Sequence, residues 1–131
     1  MSYEPGTGDN QHFTVSGQPV SMKSQNQFPS VVFPANTPFS ASVDLSFSGD
    51  WAQQICNLGL PLKLDGYAAS LSGGPGSAIG SASVTTGGGA TGYTLTINCP
   101  GLPADAYMVT VRLSSTALPI FGFDQIAIDV T

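Results

Sequence analysis

Apolar and polar side chains alternate with period two along several separate stretches of the chain. The cleanest is 39–47, where Phe39, Ala41, Val43, Leu45 and Phe47 alternate with Ser40, Ser42, Asp44 and Ser46. Successive side chains of a strand point to opposite faces, so this pattern predicts a strand with one buried and one solvated face. Tyr93, Leu95, Ile97 and Cys99 repeat the pattern, as do Tyr107, Val109, Val111 and Leu113, and then Ile126, Ile128 and Val130. In 61–71, Leu62 and Leu64 alternate with Lys63 and Asp65 until Gly66 blurs the register, which predicts a bulge there. A strand of small residues is expected over 78–85. The run from Phe28 to Phe33 is broken by Pro29 and closed by Pro34, which suits an edge strand and not a central one.

Between these stretches the chain is full of turn residues. Gly49 ends the second strand, Asp50 suits a helix N-cap, and Gly59 suits a C-terminal stop. Trp51, Ile55 and Leu58 then predict one short helix near residues 51–58, with Trp51 plugging that end of the core. Gly87, Gly88 and Gly89 form a turn. They are no phosphate loop, because no GxxxxGK[ST] pattern is present and no helix follows. Residues 115–122 read as an apolar loop, and 1–26 as a polar arm preceding a single domain over 27–131. About seven short strands with turns between them and no long helix predict an all-β antiparallel sandwich. A jelly roll is the rival architecture.

The strand at 107–113 is preceded by Leu102-Pro103-Ala104-Asp105-Ala106-Tyr107. A tyrosine at the mouth of a strand after such a bend resembles the tyrosine corner of immunoglobulin-like and fibronectin-type sandwiches. The resemblance implies an immunoglobulin-like Greek key in which the Tyr107 phenol bonds to upstream backbone. Antibody-type domains place a cysteine in the second strand, another two residues after the corner tyrosine, and a tryptophan in the third strand. Here those positions hold Val43 and Val109, and Trp51 precedes the third strand. The resemblance is therefore to the broad architecture and carries no function.

The length of 131 residues suits one domain that buries about two-thirds of its unfolded surface. Charged residues make up only 8% of the chain, and the net charge is −5. Lys23, Lys63 and Arg112 are its only basic groups besides His12 and the amino terminus. Three scattered cations cannot supply the phosphate neutralisation that nucleic-acid binding requires, nor the attraction to an anionic membrane surface. A weakly charged surface rich in hydroxyls repels its own copies little, which eases self-association. Met1 to Gly17 is polar and acidic, without the basic and apolar regions of a secretory leader. On that ground the cytoplasm is the favoured compartment, with a missing leader or another export route as alternatives.

The chemistry-bearing residues do not assemble into a reactive motif. Cys56 and Cys99 fall at opposite ends of the sandwich in a Greek key, so two separate thiols are expected. Two cysteines and His12 give too few ligands for zinc. His12 is the only histidine, it lies on the arm, and no GxSxG motif accompanies the many serines. Among the acids, Asp44 and Asp129 are expected on solvent faces and no spacing forces a glycosidase pair together. Asp50, Asp105 and Asp124 could meet at one end and hold calcium through oxygens, but no DxDxDG spacing supports this. No catalytic residue, cofactor or metal is assigned.

Two apolar segments remain as contact candidates: Leu118, Ile120, Phe121 and Phe123 in the loop and early last strand, and Phe28, Val31 and Phe33 on the edge. Edge strands also offer backbone groups to another chain. The expectation is a non-enzymatic module that binds another protein or its own copies. The alternative is a carbohydrate-binding module using Trp51, Tyr67 and Tyr93 as aromatic platforms. A hydrolase is the remote third.

Overall fold

The computed structural model describes residues 2–5, 14–74, 76–117 and 120–131. Ten strands and one helix run in chain order: β1 Ser2–Pro5, β2 Thr14–Gly17, β3 Ser21–Ser24, β4 Val32–Phe33, β5 Phe39–Ser48, α1 Ala52–Asn57, β6 Pro61–Ser70, β7 Ser77–Thr85, β8 Gly92–Cys99, β9 Asp105–Ser115 and β10 Ile120–Val130. One sheet centres on β5. Its far side pairs with β8, and its near side with β2 and β3, which follow one another along it. The other sheet runs β10-β9-β6-β7, all antiparallel, and β4 adds to β10 in parallel. The chain crosses between sheets from β5 to β6 and again from β7 to β8, the connectivity of an immunoglobulin-like Greek key. β1 pairs with β2 and with β10, and so links the two sheets along one side.

The period-two stretches become the core. Phe39, Ala41, Val43, Leu45 and Phe47 are all buried; Leu95 and Ile97 lie beside them on β8 of the same sheet, and Val109, Val111 and Leu113 are buried on β9 of the other sheet. Each fully buried Leu or Val side chain contributes about 1.5–3 kcal/mol of hydrophobic stabilisation. Ser40 is also buried, because β5 is an inner strand whose neighbours β3 and β8 crowd it on both sides. The polar arm is woven into the sheet: Val15, Val20 and Met22 are buried against β5. Asp124 Oδ2 accepts from the Val20 amide at 2.8 Å, which ties the break between β2 and β3 to β10.

The corner forms as the resemblance implied. The Tyr107 hydroxyl donates to the Pro103 carbonyl at 2.8 Å, while the ring is buried. Burial pushes the phenol above its usual range, and the nearby Asp105 carboxylate adds to the shift. Cys56 and Cys99 are separate buried thiols. Phe39 pairs with Cys99, whereas Cys56 follows the other end of β5, so the length of that strand lies between them. Burial raises both thiols, at Cys99 against a smaller lowering by a backbone hydrogen bond from Gly101. Raised thiols are poor nucleophiles, in keeping with packing roles.

Four expectations are corrected. Trp51 does not plug the core: it takes the N-cap position of α1 and is 48% exposed. No side chain caps the helix there, so Asp50 is not the cap. The inward face of the single helical turn carries Ala52 and Cys56, four residues apart, and leaves no place on that face for Trp51. The apolar loop is also shorter than expected. β9 continues to Ser115 and β10 already starts at Ile120, because Phe121 and Gly122 extend the ladder opposite Ser114 and Leu113. Finally, only Val32–Phe33 of the 28–33 run is a strand. No helix of the described residues is long and apolar enough to cross a membrane.

Candidate functional site

Among the described residues, the contact residues expected from sequence do not form one surface. Val32 and Phe33 lie beside Asp129 and Val130, at the C-terminal end of β10. Phe123 lies near the other end of that strand, opposite Arg112. At about 3.4 Å per residue, the seven residues from Phe123 to Val130 separate the two patches by more than 20 Å. Leu118 lies outside the described residues, as do the side chains of Ile120 and Phe121. Phe123 is exposed.

Phe33 leaves the contact set. It is 1% exposed and stacks on Phe39, with ring centroids 4.7 Å apart. Its neighbour Val32 points outward, as alternation along a strand requires. Phe28 is 69% exposed, and Val31 and Val32 are exposed beside it. The backbone here is less available to another chain than an ordinary edge. The Asp129 amide donates to the Val31 carbonyl at 2.8 Å, and the Thr131 amide to the Phe33 carbonyl at 2.8 Å. The Ser30 hydroxyl accepts from the Val32 amide at 3.1 Å and donates to the Val32 carbonyl at 2.8 Å. One serine thus occupies both backbone groups that Val32 turns outward, so this patch offers side chains and not a template for strand addition.

A second surface is the outward face of β6, β7 and β9. Gly66 and Gly80 are paired there, and the register shifts between Gly66 and Tyr67. A Cβ on either glycine would come within 2.9 Å of the Ile97 side chain, so the pair lets the sheet settle onto β8. On the outward side of this stretch lies a groove of 590 Å³, lined among others by Asp65, Tyr67, Ser81, Thr110 and Arg112. Asp65 stands opposite Arg112 across β6 and β9 and opposite Ser81 across β6 and β7, and Tyr67 stands opposite Thr110. Lys63 Nζ reaches Asp65 Oδ1 at 3.6 Å, and Gln125 Nε2 donates to Thr110 Oγ1 at 3.1 Å. Tyr67 is 49% exposed. Of the other two aromatic candidates, Tyr93 is engaged in the fold: its hydroxyl donates to the Ala90 carbonyl at 2.8 Å and accepts from the Gly87 amide at 3.0 Å, and its ring meets Phe47 edge-on. Trp51 lies on α1, away from the groove.

Asp105 and Asp124 are not brought together. Asp124 pairs with Val111 and Asp105 with Val130, six residues apart along β9 and so about 20 Å. Asp105 belongs to a local knot. Its carboxylate accepts from the Ser70 hydroxyl at 2.5 Å, from the Ser72 hydroxyl at 2.9 Å and from the Ala106 amide at 2.8 Å. The Ser70 hydroxyl, then Ser72 and the Ala106 amide, hold this carboxyl below its usual range. Its folded-state pKa lies below the unfolded value, so the stability it contributes is present above that value, near pH 4, and is lost as pH falls through the lowered one. Thermal unfolding of Asp105→Asn beside the parent should show a gap near neutral pH that closes on acidification below about pH 4. A gap that stays constant with pH would mean the carboxylate charge plays no part. His12 lies outside the described residues.

No family model and no curated protein matches the chain. Solved structures do match its fold. The CARDB domain of a Pyrococcus furiosus protein, solved in complex with di-metal ions, superposes with a TM-score of 0.57 at 13% identity, covering 95% of both chains. The C-terminal domain of wzt matches with a TM-score of 0.52 at 14% identity, over 98% of this chain and 82% of the other. A β-glucosidase from Listeria innocua in complex with gluconolactone gives 0.54 at 9% identity, over 92% of this chain but only 16% of the enzyme. At such identities the likeness establishes that this chain has the β-sandwich architecture, and it transfers no activity.

Proposed function

We propose that the chain is a non-enzymatic β-sandwich module that binds another protein or its own copies. The observation that carries this reading is the exposure of Phe28, Val31 and Val32, three large apolar side chains turned to solvent within five residues of chain. The Asp129 and Thr131 amides hold the backbone at Val31 and Phe33, and the Ser24 amide holds the Phe28 carbonyl, so these side chains are presented on a fixed backbone. Exposed apolar side chains on a fixed backbone favour association, because burying them removes apolar area from water without first ordering a loop. The scarcity of surface charge works in the same direction. The β-sandwich neighbours are compatible with a binding module of this kind.

Sedimentation velocity over a concentration series tests it. The parent chain should form a larger species as concentration rises, or on adding its partner. Phe28→Asp with Val32→Asp should abolish that species while changing the unfolding free energy by no more than about 0.5 kcal/mol per site, since both positions are exposed. A parent that stays monomeric throughout, and that retains the same proteins in a pull-down as the doubly substituted chain, would defeat the proposal.

A further inference from the structure

We infer that the groove across β6, β7 and β9 is a binding site for a neutral saccharide, with Tyr67 as its stacking platform and Asp65 and Arg112 as its hydrogen-bonding pair. The inference is independent of the apolar patch at Phe28, which lies elsewhere on the molecule.

Shape and chemistry both point to this ligand class. The groove volume of 590 Å³ falls in the range of small-molecule sites. It spans three strands, on the order of 10 Å across, which accommodates one or two sugar rings. A pyranose has an apolar face of C–H groups and an edge of hydroxyls. The half-exposed Tyr67 ring supplies an apolar surface for the face. The hydroxyl edge needs planar groups that bond two neighbouring oxygens at once. A carboxylate can accept from two and a guanidinium can donate to two. Asp65 and Arg112 are cross-strand partners, one pleat along from the Tyr67–Thr110 pair, so platform and polar groups stand side by side on one rigid face. Gln125 donates to the Thr110 oxygen, which leaves the Thr110 proton free to point at a ligand acceptor.

Charge decides against the other ligands a tyrosine can stack upon. Lys63 lies 3.6 Å from Asp65, so that carboxylate stands between two cations, Lys63 and Arg112, while the whole chain carries −5. The net charge of the whole chain opposes the approach of a nucleotide or an acidic sugar, whereas an uncharged polyol meets no such opposition. Gly66 and Gly80 are needed because a side chain at either would strike Ile97 and push the strands out of the arrangement that shapes the groove.

The test uses the full chain, labelled for NMR, titrated at millimolar concentration with neutral oligosaccharides of glucose, xylose, mannose and N-acetylglucosamine. At least one series should shift resonances of Tyr67, Thr110 and Arg112, and leave those of Phe28 and Val32 in place. Tyr67→Ala and Arg112→Ala should each weaken binding about tenfold or more. Tyr67→Phe, which keeps the ring, should retain it, and Phe28→Asp should bind as the parent does. That last control separates failure of this site from failure of the association surface. The inference is overturned if no series shifts the groove residues, or if folded Tyr67→Ala binds as tightly as the parent. If Tyr67→Ala does not fold, equal affinity of a folded Arg112→Ala and the parent overturns it as well.

Discussion

Phe33→Ala is expected to lower the unfolding free energy by about 3–5 kcal/mol, while Phe28→Ala, five residues earlier, changes it by less than about 0.5 kcal/mol. The two phenylalanines belong to the same apolar run but have opposite fates. Phe33 is buried and stacked on Phe39, so removing its ring leaves a cavity beside β5 that the neighbouring sheet cannot fill by collapse. Phe28 already stands in water. A loss of this size is a large fraction of the 5–15 kcal/mol that holds a typical domain together. Denaturant titration reads it as a lower midpoint at unchanged slope. Equal and small effects at the two positions would place Phe33 at the surface and contradict the parallel pairing of β4 with β10.

Gly101→Ala is the second substitution with a large expected cost, about 2–4 kcal/mol. Gly101 has φ of +129°, a conformation that side chains strain to adopt. A Cβ there would lie 2.7 Å from the Asn36 carbonyl carbon and 2.8 Å from the Thr37 nitrogen. Both are backbone atoms, and they cannot swing aside as a side-chain tip could. The Asn36 amide also donates to the Leu102 carbonyl at 2.8 Å, so the two loops are tied at the point where they would have to part. Gly87→Ala is the control. Nothing lies within 4 Å of a Cβ at that position, and its effect should stay within about 0.5 kcal/mol. A thermal unfolding midpoint for Gly101→Ala as high as that of Gly87→Ala would show that the loop at 100–104 is looser than this packing requires.

Phe33 limits how the proposed association surface can be altered. Phe33 lies directly beneath Val32, so enlarging or charging the patch by substituting inward-facing residues would unfold β4 before it changed binding. Substitutions at Phe28 and Val32 avoid this because their side chains are outside the core. The groove is bounded in the same way. Tyr67, Thr110 and Arg112 face outward, whereas Leu64, Val109, Val111 and Leu113 alternate with them and are buried.

The sequence by itself determined the faces of the long strands. In β5, β8 and β9 a wrong register would bury serines and threonines and expose leucines, so alternation had a single workable reading. It also determined the corner, because Tyr107 and Pro103 are four residues apart and their hydrogen bond closes locally. The break at Gly66 and the stop at Gly59 were legible for the same reason: each is a property of a few neighbouring residues. Only the tertiary structure decided that Phe33 turns inward, since two residues of strand carry too little pattern to say which face is covered. Only it decided that Trp51 stays at the surface, because α1 makes a single turn whose inner side Ala52 and Cys56 fill. The groove was equally hidden. Asp65 and Arg112 become neighbours through the pairing of β6 with β9, strands far apart in the chain, and that proximity is set by which strands lie side by side and not by any spacing a single segment can display.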